Sequence, residues 1–308
     1  MKRLLYCLII VLLLPAVAVA DKNSVAMAKK LAKKGETYIW LRPAPPLIDE
    51  ARFEFVRNNL ISTFYHEFAH ALIDILDLPV LGLEESAADN FSVVMVNRMF
   101  NATDALAINS DAARAYKIDA HNRIKNGRDW DWADEHGTEM QRFYNIVCLA
   151  YGADTEAHEG FSKQMGLPKE RAETCQDEFE MANKSWHRVI KQVEMQQPEN
   201  TVKYRQTTRT QLQIRAARVI EAEVNKLNQT FNLPESLRVR IKPCRNRGRF
   251  LAYYSNQRNK ITICTNYIDD LYRDALNKCD HRLQTCDHRL QNRDHNPLKL
   301  GENLNYLR

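Results

Sequence analysis

The sequence predicts an α+β fold that is mostly helical and carries a small β-sheet. Two observations favour helix. Glycine is scarce, with 9 residues in 308, and apolar residues recur at three- and four-residue spacing in several segments. The third observation is a set of short segments late in the chain in which apolar and polar residues alternate, as they do in half-buried strands. Most of the sheet is therefore expected to follow the main helices.

The first helical segment contains the pattern H-E-x-x-H at residues 66–70. On a helix, His66 and His70 lie one turn apart on one face, so both imidazoles can bind a single metal ion. Glu67 lies beside them, where it can take a proton from water. The pattern predicts the core of a zinc-dependent peptidase, and two buried core histidines are the alternative. The helical spacing is carried by Leu60, Phe64, Phe68, Ala71, Leu72 and Ile75.

A second apolar helix follows closely. The first helix begins near residues 48–50 or after 58–59, and Pro79 ends it in a short turn. The pair Glu84-Glu85 then opens a helix that extends to about residue 99. Zinc in a catalytic site takes three protein ligands and keeps a fourth position open. An acidic third ligand is therefore expected at the start of this helix.

Residues 85–89 resemble the Glu-x-x-Ala-Asp motif of gluzincin metallopeptidases, which bind zinc through two histidines and a glutamate. The resemblance implies that Glu85 is the third ligand and that Asp89 supports the site from outside the ligand set. The spacing agrees, because residues four apart lie on one helix face. A carboxylate so placed orients a ligand histidine and raises its basicity. Glu84 is the competing candidate for the third ligand.

The chain also resembles a family of secreted bacterial proteins known only as metallopeptidases of unknown function. The similarity covers roughly residues 58–190. The resemblance implies a zincin-like fold, Zn²⁺ as the cofactor and a peptide or protein as the substrate, but it does not identify that substrate. The similarity continues after the two helices through residues 134–136, 141–148, 151–152, 171–175 and Trp186.

A histidine outside the ligand set is the next candidate. In gluzincins a His or Tyr donates a hydrogen bond to the oxyanion that forms during attack, and such donors contribute several kcal/mol. By this resemblance His136 is the first candidate, with Asp134 placed to orient it, and Tyr144 is the second. A histidine before a helix can equally be a cap or a surface residue.

The first 20 residues are typical of a secretory signal. Lys2 and Arg3 precede an apolar run at residues 4–14, and small residues at 18–20 form a cleavage site after Ala20. We expect a secreted or periplasmic protein. An uncleaved anchor is the alternative, although the run is short for a membrane-spanning helix. No other stretch is apolar enough to cross a membrane, so no span is expected in the mature chain.

Cysteine usage fits an oxidising compartment. Of seven cysteines, Cys7 lies in the signal, and the remaining even number favours disulfides. Sequence alone leaves the pairing open, and no spacing is typical of a thiolate zinc site. Proximity in the sequence favours three pairs, Cys148 with Cys175, Cys244 with Cys264, and Cys279 with Cys286. The first two pairs also fit the family resemblance, whereas the third rests on proximity alone.

Positive charge is concentrated late in the chain. The formal net charge is +5, yet from residue 196 onward 21 Lys and Arg face 11 Asp and Glu. Such a surface can attract anionic lipids, cell-wall polymers or nucleic acid, and an ordinary solvated basic face is the alternative. Since no nucleic-acid-binding motif is present, no nucleic-acid partner is expected.

The rest of the chain is read more coarsely. Residues 101–133 are polar and are expected to be irregular. A seven-residue pattern with Cys and His is nearly duplicated in the tail, where sequence slippage is the simpler explanation and metal binding the alternative. Helices are expected at residues 137–151, 171–194 and 211–227, and strands at 38–41, 237–241, 250–254 and 260–263.

The strand-rich module around Cys244 and Cys264 resembles a piece that family members usually carry before the zinc helix. Here it follows that helix. We expect it to fold back and complete the zincin sheet, with an independent second domain as the alternative. The predicted division is a signal peptide at 1–20, a zincin-like catalytic region at 21–195, a basic helix and strand module at 196–278, and a mobile tail at 279–308.

The leading hypothesis from the sequence is therefore a secreted or periplasmic zinc metallopeptidase. His66, His70 and Glu85 hold zinc, and Glu67 is the general base. Two rival hypotheses stay open. One is a zinc amide hydrolase that acts on cell-wall linkages, and the other is a non-catalytic exported protein that keeps the zinc-binding helices as a scaffold.

Overall fold

The longest described helix, α1 (Glu50–Ile75), carries the H-E-x-x-H segment and is buried along most of its length. The computed structural model describes residues 48–130, 132–194, 200–244 and 251–275. Asp49 caps α1 by accepting a hydrogen bond from the backbone N–H of Arg52, so the helix begins at the earlier of the two predicted starts. No residue from 55 to 73 is exposed, so α1 packs as a core helix.

Helix α2 (Glu84–Met99) packs against α1 after a short turn. Leu76 closes α1 through backbone hydrogen bonds to its last carbonyls, and Gly82 adopts φ 139°, a backbone conformation that a side chain would oppose. Phe91 and Met95 of α2 are fully buried. The turn therefore brings the acidic start of α2 back beside the histidines of α1.

Residues 102–125 form a long helix, α3 (Ala102–Lys125), where the sequence predicted irregular structure. This prediction was wrong, because α3 buries small residues such as Ala105 and Ala113 rather than a stripe of large apolar ones. One of its buried polar residues, Asp111, has a partner on α1. The side-chain amide of Asn58 on α1 donates to the carboxylate of Asp111 at 2.9 Å. The polar composition of this segment therefore gave no sign that it forms a helix facing the core.

Helices α4 (Glu139–Gly152) and α7 (Cys175–Val193) cover α2. Thr138 and Gln141 form a capping box at the start of α4. A disulfide joins Cys148 to Cys175, and at this contact a Cβ on Gly152 would lie 2.0 Å from the Cys175 carbonyl oxygen. Glycine is therefore required for the close approach. Two short helices, α5 (Glu159–Met165) and α6 (Lys169–Ala172), connect these elements.

The described strands form one sheet in the order β1-β2-β4-β3. Strands β1, β2 and β4 run parallel, and β3 pairs with β4 in the antiparallel direction at one edge. A second disulfide joins Cys244 to Cys264. The elements of this part are β1 (Val202–Gln206), α8 (Gln211–Thr230), β2 (Leu237–Lys242), β3 (Ala252–Ser255), β4 (Lys260–Cys264) and α9 (Thr265–Asp274).

The sheet and its helices pack on the same core as α1. The Tyr65 hydroxyl on α1 donates to the Glu223 carboxylate on α8 at 2.8 Å, and Thr63 shares a hydrogen bond with the Tyr267 hydroxyl on α9. Strand β3 also contacts α1 directly. The late module thus lies beside the helix that carries the histidines.

The mostly helical α+β class with a small sheet is confirmed. None of the described helices combines the length and the apolar character that crossing a membrane requires. The domain boundaries stay a prediction. Several other predictions fall outside the described residues, namely the signal peptide at 1–20, the strand at 38–41, the Cys279–Cys286 pair and the tail at 279–308.

Candidate metal centre

Three side chains from α1 and α2 converge on one point. Nε2 of His66 lies 3.2 Å from Nε2 of His70. The Glu85 carboxylate places Oε2 3.1 Å from the His66 Nε2 and Oε1 3.5 Å from the His70 Nε2. The two histidines are one helical turn apart on α1, and the turn before α2 presents Glu85 to them.

These spacings fit a bound metal ion. Zinc lies about 2.0–2.1 Å from an imidazole nitrogen, and tetrahedral geometry then separates neighbouring ligand atoms by about 3.3 Å. The three measured separations lie close to that value. In addition, Oε2 of Glu85 is buried and lies 3.1 Å from Nε2 of His66 and 2.9 Å from Nε2 of His136. Two imidazoles and one carboxylate form a donor set that suits zinc.

Each candidate ligand histidine has a carboxylate behind it. Nδ1 of His66 lies 2.9 Å from Oδ1 of Asp89, and Nδ1 of His70 lies 2.7 Å from Oε1 of Glu84. Carboxylates in this position fix the tautomer and the orientation of a metal-binding imidazole. Glu84, the competing candidate for the third ligand, therefore contacts the far side of the His70 ring instead.

Arg142 of α4 binds the Asp89 carboxylate from the other side. Its Nε and Nη2 donate hydrogen bonds of 2.8 and 2.6 Å to the two carboxylate oxygens. Its guanidinium also lies over the Tyr116 ring, 4.3 Å from the ring centroid. Such bidentate, charge-assisted pairs are geometrically specific. The pair holds the Asp89 carboxylate in the position that His66 requires.

The electrostatics of the cluster reflect this arrangement. Burial acts to lower the pKa of His66, but contacts with Asp89 and Glu85 outweigh it and raise the pKa to about 9. Burial acts to raise the pKa of Glu85, yet three neighbouring imidazoles hold it far below its ordinary value. The pKa of Asp89 is also lowered, because Arg142 and His66 outweigh its burial. The metal-free cluster thus holds its carboxylates ionised.

Glu67 lies next to the cluster and is buried. Burial raises its pKa above the ordinary value, while charged His66 and His70 act in the opposite direction. A backbone hydrogen bond from Tyr254 on β3 also acts to lower it. A raised pKa suits a group that takes up and returns a proton near neutral pH. The location of Glu67 fits the general base that the motif predicts.

His136 lies beside Glu85, in the loop before α4. Its Nε2 is 2.9 Å from Oε2 of Glu85, and its Nδ1 is 2.8 Å from Oδ1 of Asp134. With Glu85 and Glu135 it forms a second group that could hold a metal ion, and this group shares Glu85 with the first. The Glu85 contact raises the pKa of His136, against the opposing effect of partial burial. The structure thus brings His136 and Asp134 to the edge of the cluster.

Tyr144, the second candidate for this role, lies elsewhere. Its ring packs against that of Phe143, with ring centroids 5.0 Å apart, and it lines neither of the two cavities described below. The physical reason is helical rotation. Arg142 faces the candidate metal centre from α4, and a residue two positions later is turned about 200° around the helix. The structure therefore does not bring Tyr144 to the candidate centre.

The cluster opens onto a cleft formed by two adjoining cavities of about 540 and 560 Å³. Both are lined by the same central residues, and strand β3 borders the second of them. Tyr254 of β3 is fixed to α1 by a 2.6 Å hydrogen bond from its hydroxyl to Asp74. The residues common to both cavities are His66, Glu67, Glu135, His136 and Ala252.

Sequence reasoning missed Arg142, Tyr254 and Asp74 as parts of this site. Asp74 had a usable signal, since it follows His70 by one helical turn. No local spacing links either of the other two residues to its partner. Arg142 and Asp89 are 53 positions apart, and Tyr254 and Asp74 are 180 apart. Only tertiary packing brings these pairs together.

Comparison with known proteins bears on the identity of the centre. A family model described as "Putative metallopeptidase" matches residues 20–190 and 199–292. It extends beyond the range of similarity predicted above and includes the late module. No match to a curated protein or to a solved structure reaches significance. The predicted resemblance is confirmed, and the chain belongs to this metallopeptidase family.

Proposed function

We propose that the protein is a zinc-dependent peptidase with a zincin-like arrangement of helix and edge strand. His66, His70 and Glu85 would hold the ion. The observation that carries the proposal is the set of separations between their ligand atoms, 3.1 to 3.5 Å, directly beside a buried glutamate. Membership of a metallopeptidase family supports a metal-dependent peptidase.

When bound, zinc supplies Lewis acidity that lowers the pKa of water and polarises the scissile carbonyl. Glu67 takes the proton of the attacking water and returns it to the leaving amine. Its position supports this role, because the carboxylate is buried, close to the ligand histidines and held near β3 through Tyr254. Burial keeps its pKa above the ordinary value, which favours proton transfer near neutral pH.

His136 donates a hydrogen bond to the oxygen on which negative charge develops. The Asp134 carboxylate accepts a hydrogen bond from Nδ1–H of His136. Nε2 of the same ring therefore carries a proton that it can donate only when the imidazole is doubly protonated. The contact with Asp134 acts to raise the pKa of His136 and so favours that form. A pre-aimed donor of this kind contributes about 2.7–4 kcal/mol to transition-state stabilisation.

Strand β3 binds the substrate backbone. The N–H of Cys264 donates to the Leu251 carbonyl, which marks that pair as hydrogen-bonded in the antiparallel ladder. Because hydrogen-bonded and non-hydrogen-bonded pairs alternate, Ala252 and Tyr254 direct their backbone N–H and C=O groups away from β4. Tyr254 is directed to Glu67, and Ala252 faces the cleft. An extended peptide can therefore add to this edge beside the catalytic residues.

We also propose a secreted or periplasmic location. Two disulfides among the described residues support an oxidising compartment. The N-terminal sequence carries the signal-like pattern described above. The substrate would then be a peptide or protein outside the cytoplasm.

The test compares three proteins, the wild type, His70→Ala and Glu67→Gln. We expect about one zinc per wild-type chain, loss of zinc in His70→Ala, and retained zinc without peptide hydrolysis in Glu67→Gln. Metal analysis and mass spectrometry of a mixed peptide library measure both properties. Full hydrolysis by Glu67→Gln would overturn the mechanism. Cleavage of peptidoglycan fragments but no peptides would establish the cell-wall amidase instead, and zinc binding without any hydrolysis would establish the scaffold.

A further inference from the structure

One face of the sheet carries only basic charge, and this face is open along β1 and β2. Along β1, β2 and β4, every second residue has its side chain on this face, and no acidic residue of these strands is among them. Of its six basic residues, three are exposed, two are half-buried and Lys260 of β4 is buried. The other β4 residues on this face, Thr262 and Cys264, are also buried. We call it the basic sheet face and define it by Lys203, Arg205, Arg238, Arg240, Lys242 and Lys260.

The strand register aligns these cations in rows. Lys203 pairs with Arg238, and Arg238 pairs with Lys260. Arg205 pairs with Arg240 in the next row. Neighbouring strands are about 4.8 Å apart, and alternate residues along a strand are about 6.6 Å apart. The face is therefore a two-dimensional array of like charges.

The opposite face of the sheet is the one that packs on the helices. Val202, Val239 and Ile241 are buried, and the Tyr204 hydroxyl donates to the Ala217 carbonyl of α8 at 2.7 Å. Since side chains alternate across a strand, the charged residues between them lie on the side away from α8. Packing of the core thus fixes the direction of the array.

No carboxylate neutralises the array within the part of the chain that the structure describes. None of the six residues forms an ion pair there. Lys260 shows the effect most clearly, because its residue exposure is only 9% and it has no acidic partner. Burial lowers its pKa, and the positive charges of Arg258, Lys242, Arg240 and Arg238 lower it further. Charges held together without compensation are stabilised when an anionic partner binds.

We propose that the basic sheet face docks on a lipid bilayer that contains acidic phospholipids. The described strands place no aliphatic side chain on this face, whereas a stable protein interface has an apolar core. A platform for single-stranded nucleic acid needs aromatic side chains along a groove, but Tyr253 at the β3 edge is the only aromatic residue that the described strands place on this face. The six residues line neither cavity of the cleft. The exposed cations of β1 and β2 complement a planar anionic surface.

The consequence is a specific orientation of the cleft. Strand β3 lies at one edge of the sheet and borders the cleft, while β1 forms the other edge. With the basic sheet face on the lipid, the cleft lies at the side of the molecule rather than against the bilayer. The active site would remain open to peptides close to the membrane surface. Docking itself is independent of the proposed peptidase activity.

The test uses three exposed residues whose loss leaves the core intact. Each basic residue near an acidic membrane strengthens binding about fivefold. The triple variant Lys203→Gln, Arg205→Gln, Arg238→Gln is therefore expected to bind vesicles of equal phosphatidylglycerol and phosphatidylcholine about 100-fold more weakly than the wild type. The matched control removes the same number of positive charges from α7 and should bind the vesicles as the wild type does. Its substitutions are Lys184→Gln, Arg188→Gln and Lys191→Gln.

Vesicle co-sedimentation at low salt measures the partition coefficient, and circular dichroism checks that both variants are folded. The wild type is expected to bind pure phosphatidylcholine at least about tenfold more weakly than the acidic mixture. Equal loss of vesicle binding in the two triple variants would show that binding depends on net charge and not on the basic sheet face, and it would overturn the proposal. Binding of a single-stranded oligonucleotide, an acidic protein or neither, with no preference for acidic vesicles, would also overturn it.

Discussion

Arg142 holds both carboxylate oxygens of Asp89, at 2.6 and 2.8 Å, while the same carboxylate lies 2.9 Å from Nδ1 of His66. The contacts form a continuous chain from α4 through α2 to the candidate ligand on α1. Both members of the ion pair are largely buried. Removing one partner of such a pair leaves an uncompensated charge and costs about 3–5 kcal/mol.

Asp89→Asn is expected to lower zinc affinity about 10- to 100-fold, as loss of a carboxylate behind a ligand histidine typically does. The amide keeps the shape but cannot accept from both Arg142 and His66 in the same way. Competition with a chromophoric chelator measures the dissociation constant. Asp104→Asn is a suitable control, since Asp104 is exposed and lines neither cavity. Unchanged affinity in Asp89→Asn would show that the contact does not support the metal.

Zinc affinity should rise with pH up to about 9. Burial opposes protonation of His66, but Asp89 and Glu85 raise its pKa to about 9 in the metal-free protein, and an imidazole binds metal only after losing its proton. The metal-free fold shows the opposite trend. The stability contributed by protonated His66 is complete below about pH 6.5 and is lost as the pH rises through about 9. Chelator competition and thermal unfolding follow the two trends, and an affinity that falls with pH would contradict the assignment.

His136→Ala is expected to reduce kcat about 10²- to 10³-fold while leaving bound zinc in place, because it removes a donor to the developing charge. Only the imidazolium can donate from Nε2 while Asp134 holds Nδ1. Wild-type activity should therefore fall as the pH rises and this imidazolium loses its proton, and the variant should lack this alkaline decline. Tyr144→Phe is the matched control and should be fully active. If Tyr144→Phe lost activity and His136→Ala did not, the oxyanion donor would be Tyr144 rather than His136.

The candidate ligands could be predicted because their relationships are local. His66 and His70 are four residues apart, and Glu85 and Asp89 repeat that spacing on the next helix, so helical periodicity alone aligns each pair. The contact between Arg142 and Asp89 spans 53 positions and depends on how α4 packs against α2. No local pattern records such a contact.

Helix α3 shows a second limit of sequence reasoning. Its core-facing residues include Ala105 and Ala113, which add little to an apolar stripe, and buried Asp111, which is satisfied by Asn58 of a distant helix. In the sequence, a polar residue that is buried with a hydrogen-bond partner cannot be distinguished from the same residue type exposed to solvent. The sequence therefore shows the residue types but not the hydrogen bond that allows them to be buried.

The two disulfides are expected to stabilise the fold to a similar extent. The Cys148–Cys175 and Cys244–Cys264 pairs have sequence separations of 27 and 20, for which loop-closure entropy gives about 3.6 and 3.3 kcal/mol. Replacing either pair by two alanines should lower the free energy of unfolding by about that amount. Denaturant unfolding of both double variants under non-reducing conditions measures the change. No loss in either one would indicate that the pair does not form in solution.

The edge-strand role of β3 leads to a final prediction. Ala252→Pro removes one backbone N–H that faces the cleft, and an edge strand tolerates proline where the N–H does not join the ladder. If that N–H binds the substrate backbone, KM should rise by about two- to twelvefold, the equivalent of one hydrogen bond of about 0.5–1.5 kcal/mol. Because this contact is made equally in the ground and transition states, kcat should change little.

Tyr253→Pro serves as the contrast for this prediction. The Tyr253 N–H faces Thr262 of β4 in the ladder, so proline at that position should lower the thermal midpoint of unfolding, whereas Ala252→Pro should leave it nearly unchanged. Steady-state kinetics on one cleaved peptide and thermal unfolding of both variants separate the two effects. An unaltered KM in a folded Ala252→Pro protein would exclude the Ala252 N–H from substrate binding. The neighbouring outward N–H, that of Tyr254, cannot replace it, because it is directed to Glu67.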